Sequence, residues 1–159
     1  MDAFRTTVVR KTIAAASLLA TIATPVLADE LVHMAPPGAL ADLPFSEAVI
    51  YDDFIFLSGQ LGVDPVTGEL VEGGIGPETR QTMENIQATL ARAGATMNDV
   101  IKCTVFMADI EEWAAMNAEY VKFFDRKPAR SALGTAGGIA LGARAEIECL
   151  AAAPDDDAE

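Results

Sequence analysis

The sequence predicts an α+β domain: a β-sheet with two helices packed on one of its faces. Three observations carry that prediction. Short runs rich in β-branched and aromatic residues recur along the chain. Two longer stretches repeat their apolar residues every three or four positions, as amphipathic helices do. The elements follow in the order strand, strand, helix, strand, helix, strand, strand, and two helices suffice to cover only one side of such a sheet. The other side is left partly apolar, so self-association is expected to hide it. A length of 159 residues suits one domain.

In chain order, residues 1–28 read as a secretory signal peptide. Arg5, Arg10 and Lys11 precede the uncharged apolar run Thr12–Ala23; Pro25 then breaks any helix, and Val26-Leu27-Ala28 suits a signal peptidase. An uncleaved anchor is the alternative, but the run is shorter than the roughly 20 residues a membrane span needs. The expected mature chain begins near Asp29, periplasmic or secreted, with no membrane contact after cleavage. Removing Met1–Ala28 takes away three basic residues and one acid, leaving eight against 23 and a net charge of −15. That balance excludes nucleic acid as a partner, since affinity for phosphate backbones comes from lysine and arginine.

Residues 29–43 hold two prolines, a glycine and the only histidine, His33, and read as an irregular lead-in. His33 has no second ligand nearby in sequence, so no metal site is expected. The folded domain spans residues 44–153. Its first strands are Ala48–Tyr51 and Phe54–Leu57, joined through Asp52-Asp53 at hairpin spacing. Ser58-Gly59-Gln60 follows; a glycine here marks a bulge, a strand end or a close approach to the backbone. Asp64-Pro65-Val66-Thr67-Gly68 is turn chemistry. Gly73, Gly74 and Gly76 form a loose segment without the lysine of a phosphate-binding loop.

Pro77 opens the first helix, whose stripe is Met83, Ile86, Leu90 and Ala93, and Gly94 stops it. Val100–Met107 is the plainest strand in the chain. Asp109 caps the second helix, whose expected buried face is Trp113, Met116, Tyr120 and Phe123 or Phe124, with Asn117 beside it. Ser131–Thr135 and Arg144–Ala152 complete the strands. In the last, Glu146 and Glu148 alternate with Ile147 and Cys149, so both carboxylates share one face. Residues 154–159 form an acidic tail expected to be disordered. Cys103 and Cys149 sit in apolar runs and read better as two buried thiols than as a bridge.

Lys127-Pro128-Ala129-Arg130-Ser131 sets a fixed cation sixteen residues ahead of Glu146. The planar guanidinium suits a carboxylate ligand. Taken alone, a structural ion pair between Arg130 and Glu146 is the simpler reading.

The wider pattern shifts that reading. Leu57-Ser58-Gly59-Gln60, Asp64–Gly68, the helix carrying Asn85, Asp99–Phe106, Asn117-Ala118-Glu119-Tyr120 with Phe123-Phe124, Pro128-Ala129-Arg130-Ser131 and Glu146-Ile147-Glu148 stand in order and at matching spacing. From Pro44 to Ala152 the chain resembles the RidA/YjgF family of reactive-intermediate deaminases. The resemblance implies a chorismate-mutase-like mixed sheet and a homotrimer with sites in clefts between subunits. It also implies hydrolysis of 2-imino and 2-enamino acids to 2-keto acids and ammonia, with no cofactor and no metal. It assigns carboxylate capture to Arg130, a backbone donor to Gly59 beside Ser58, water positioning to Glu146, and a place near the site to Asn117. Phe45 stands where the family has an aromatic hydroxyl, and Ala132 where a cysteine often follows Arg-Ser. The competing expectation is a non-catalytic trimer of the cell envelope that binds small carboxylates or acts as a chaperone.

Overall fold

The computed structural model describes residues 31–154; the expected signal segment 1–28 and residues 155–159 of the acidic tail lie outside the described residues. Seven strands form one sheet: β1 (Val32–Met34), β2 (Ala48–Tyr51), β3 (Phe54–Leu57), β4 (Gln60–Leu61), β5 (Val100–Met107), β6 (Ala129–Gly134) and β7 (Ala145–Ala152). They lie in the order β1-β2-β3-β7-β5-β6, and β4 pairs with β7 beyond the end of β3. Only the β5–β6 pair is parallel. Helices α1 (Ile75–Arg92) and α2 (Trp113–Tyr120) share one buried cluster with the sheet, so the α+β, mixed-sheet architecture with both helices on one face is the one adopted.

Local chemistry explains most boundaries. Asp52 takes a positive φ of 52° in the β2–β3 turn, a conformation aspartate tolerates better than most residues. Pro77 lies in the first turn of α1, where its missing N–H costs no helical bond. Gly94, at φ 79°, closes α1 while Ala95 N–H donates to Leu90 O at 2.9 Å. Asp109 accepts from Glu111 N–H at 3.0 Å, capping a 3-10 turn that leads into α2.

The core lies between helices and sheet. Met83, Ile86 and Leu90 from α1 and Met116 from α2 meet Ile55, Val105, Met107 and Ile147 from the strands. Burying such side chains contributes roughly 1.5–3 kcal/mol each, the dominant favourable term in the fold. On the other side of the sheet, Phe54 and Phe56 stay 41% and 50% exposed in the protomer.

Four expectations are corrected. The lead-in 29–43 is not wholly irregular: Val32–Met34 pairs with β2, a run too short to show a period. The fourth predicted strand is Ala129–Gly134 instead of Ser131–Thr135. Trp113 is 42% exposed and stands outside the core, while Met116, Tyr120 and Phe124 are buried as expected. Cys103 and Cys149 form a disulfide. They face each other across β5 and β7 with Cα atoms 4.1 Å apart, a register that 46 residues of sequence separation do not display.

Candidate functional site

β3 and β4 run along the same partner, yet their register differs by one residue: Phe56 pairs with Leu150, whereas Gln60 pairs with Ile147. The extra residue is taken up at Ser58-Gly59, a β-bulge. Hence Leu57 and Gln60 are both buried although three positions apart. Ser58 is held in place by its own polar groups: its N–H donates to Glu47 O at 2.9 Å and its hydroxyl to Ser46 O at 2.7 Å.

Gly59 sits against Glu146. A methyl group on Gly59 would lie 1.9 Å from Glu146 Oε1. The glycine therefore leaves room for a carboxylate that folds over the bulge. Glu146 is half-buried, and among the described residues no donor reaches its oxygens. Burial first, and the neighbouring Glu148 charge second, raise its pKa above the ordinary glutamate value. Such a carboxylate is primed to accept a proton. Gly59 also lines a hollow of about 220 Å³, together with Phe45, Leu43 and Leu61 among others.

Arg130 is elsewhere. It pairs in parallel register with Cys103, so its side chain leaves β6 on the helix side. Its Nη1 donates to Asn117 Oδ1 at 2.8 Å. Its Cζ lies 4.7 Å from the Tyr120 ring centroid and 5.5 Å from that of Trp113. These are cation–π distances. Burial pushes the Tyr120 phenol up to about 12, against the opposing Arg130 charge, so the ring beneath the cation stays neutral. Arg80, Arg92 and Arg144 each pair with a glutamate, but among the described residues no carboxylate approaches Arg130 within 4 Å. The remaining donors of its fork are free to take an acid group.

The ion pair between Arg130 and Glu146 is thus absent, and so is any joint site within one protomer. Glu146 pairs with Phe106, and Arg130 with Cys103 on the same strand. Positions 103 and 106 of an extended strand point to opposite faces. One chain carries two separate groups of the expected site residues: Gly59, Ser58, Glu146 and Phe45 around the bulge, and Arg130 with Asn117 at the edge strand β6. Sequence reasoning missed the ring platform of Trp113 and Tyr120, whose helical spacing looked like core alone. Among the described residues no three histidine, cysteine or acidic side chains cluster as metal ligands, and no helix is long and apolar enough to cross a membrane.

Comparison with known proteins follows the same contour. Residues 37–153 match the family model described as Endoribonuclease L-PSP. A RutC family protein of Pyrococcus horikoshii is 47% identical over 91 residues, which is 57% of this chain and 72% of the relative. The 2-iminobutanoate/2-iminopropanoate deaminase of Capra hircus is 43% identical over 116 residues, 72% of this chain and 82% of that protein. Among solved structures, TdcF of E. coli with bound serine superposes with a TM-score of 0.67 at 34% identity, covering 74% of this chain and 93% of that one.

Proposed function

The chain belongs to the endoribonuclease L-PSP family, the RidA/YjgF family its motifs resemble, and from that premise we propose that it is a hydrolytic deaminase. Its substrates are 2-imino acids and their enamine tautomers, its products 2-keto acids and ammonia, and its site is a cleft between subunits of a homotrimer. One observation carries this reading. Among the described residues Arg130 has no acid partner and Glu146 no donor, and the two face away from each other in one protomer. A neighbouring copy supplies to each what its own chain withholds. The relatives at about 40% identity that are named as 2-iminobutanoate/2-iminopropanoate deaminases support the chemistry, and the serine bound to TdcF supports an amino-acid-sized ligand.

In this mechanism Arg130 of one copy holds the substrate carboxylate in a charge-assisted pair. Asn117 and the two rings fix its orientation. Gly59 N–H of the next copy adds a donor. The enamine first tautomerises to the imine, whose carbon is electrophilic. Glu146 orients a water and takes its proton as the oxygen attacks that carbon. A C–O bond forms as the C=N π bond breaks toward nitrogen, which is protonated; the carbinolamine hydroxyl then loses its proton as the C=O bond forms, the C–N bond breaks, and ammonia leaves. Nothing is oxidised or reduced. Imines hydrolyse in water unaided, so positioning supplies most of the rate.

A net charge of −15 on the expected mature chain, and a lone histidine bonded to Ser46, do not favour RNA as substrate. The Cys103–Cys149 disulfide supports the exported location, since such bonds persist outside reducing compartments. A mature N-terminus near Asp29 in cell fractions is the expected result; a full-length protein would argue against cleavage.

The decisive test supplies imines in situ with an amino-acid oxidase and follows their disappearance. Arg130→Ala should abolish acceleration, and Arg130→Lys should restore little, because a point charge lacks the fork. Glu146→Gln should retain binding of the keto-acid product and lose turnover. Product binding without turnover by the parent protein would instead establish a carboxylate-binding protein.

A further inference from the structure

The hollow beside Gly59 has no role in the mechanism above, and its walls are specific. Leu40, Leu43, Phe45, Leu61, Val63 and Leu141 supply half of the lining residues. Of the three polar side chains that border it, two are already engaged. Glu47 accepts from Thr89 Oγ1 at 2.8 Å and pairs with Arg92. Asn85 Nδ2 donates to Leu61 O and Val63 O at 3.0 and 2.9 Å, and its Oδ1 accepts from Gln81. Gln60 is the third. The hollow thus offers a guest an apolar wall with one amide at its margin. Its volume of about 220 Å³ exceeds the roughly 150 Å³ that encloses a benzene ring in an apolar cavity.

Leu141 lies at the rim, 69% exposed, with φ 60° and ψ 7°. That left-handed conformation is costly for a leucine and is retained only where the surrounding chain imposes it; such outliers gather at ligand sites. Leu43, 40% exposed, forms another part of the lining.

We infer that this hollow seats the substrate's side chain, and that it selects 2-imino acids with branched or aromatic apolar side chains over those ending in a methyl. The inference rests on the imine deaminase reading and adds a specificity to it. Gly59 links the two regions: it touches Glu146 and also lines the hollow. A substrate with its reacting carbon at Glu146 therefore directs its side chain along the bulge into the apolar space. A charged side chain would enter without a counter-ion, since the carboxylate of Glu47 is already paired. A methyl group would leave most of the volume empty.

The test measures affinity as well as turnover. Calorimetry compares binding of two product acids, pyruvate and 4-methyl-2-oxopentanoate, to the intact protein. Three further apolar carbons placed in such a pocket predict tighter binding of the larger acid by about 10- to 100-fold. In Leu43→Asp that ratio should fall toward one; Leu141→Asp, at the more exposed rim, gives the same readout if the first variant does not fold. Equal affinities in the parent protein, or a ratio that survives both substitutions, would overturn the assignment. Because the readout is product binding, it is separable from catalysis. Loss of the ratio with imine hydrolysis intact removes only the pocket, whereas a normal ratio without hydrolysis removes only the deaminase. Failure to bind either acid removes both.

Discussion

If Arg130 and Glu146 act on one substrate from different copies, two inactive variants should rescue each other. Arg130→Ala retains the glutamate half-site, and Glu146→Gln retains the arginine half-site. The magnitude follows from the faces the two residues occupy. Every working site needs an intact Arg130 from one copy beside an intact Glu146 from the next. In rings assembled at random from equal amounts of both variants, each of those conditions is met half the time, so about a quarter of the parental sites should be restored. That fraction does not depend on the number of subunits in the ring, provided each site spans one interface. The assay coexpresses the variants in equal amounts with different affinity tags, uses the tags on a sample to confirm that mixed assemblies form, and measures imine hydrolysis per subunit on the whole unselected pool. Each variant alone, and the two mixed after purification without exchange, serve as baselines. Mixed assemblies as inactive as the single variants, with both variants folded, would refute the shared cleft and the mechanism built on it.

Three other outcomes are expected. Since burial and Glu148 raise the Glu146 pKa, and the ionised form is the base in the proposed mechanism, kcat/KM should fall as pH drops through that raised value. Glu148→Gln should move this acid limb to lower pH but only part of the way, because burial is the larger cause; an unmoved limb contradicts the coupling. Gly59→Ala should displace the Glu146 carboxylate, lowering kcat while thermal unfolding stays near the parental midpoint; full activity would show that the bare position is not required. Reducing the Cys103–Cys149 bond, or replacing both cysteines by alanine, opens a loop closed across 46 residues. The expected loss is about 2–4 kcal/mol, seen as a fall in Tm of roughly 10 °C by circular dichroism; identical melting with and without reductant would contradict it.

Local patterns were legible where one residue's own physics decides. Gly94 closes α1 because it tolerates positive φ; Pro77 was expected to open the helix but lies in its first turn, two residues after the start at Ile75, where the N–H it lacks has no helical partner. The alternation in Ala145–Ala152 places Glu146 and Glu148 outward with no other information. Val100–Met107 shows its full extent because it is long and β-branched-rich. Trp113 and Tyr120 shared one helical stripe, yet one became an exposed platform and the other a buried one. Both rings lie against Arg130, but Tyr120 also packs on Phe124 within the buried cluster, which Trp113 does not join. Spacing along a helix gives a residue's direction but not what awaits it there.

The residue types needed for the proposed chemistry, and the family to which the chain belongs, are written in the linear order: a glycine after a strand, an arginine after a proline, a glutamate on an alternating run. Register is not. Only the paired strands decide that Cys103 meets Cys149, that an extra residue at Ser58-Gly59 turns the bulge toward Glu146, and that Arg130 leaves its strand on the side opposite that carboxylate. Each of these depends on a one-residue offset between segments far apart in the chain. Such an offset is set by how side chains pack across the whole sheet, and no local stretch contains it.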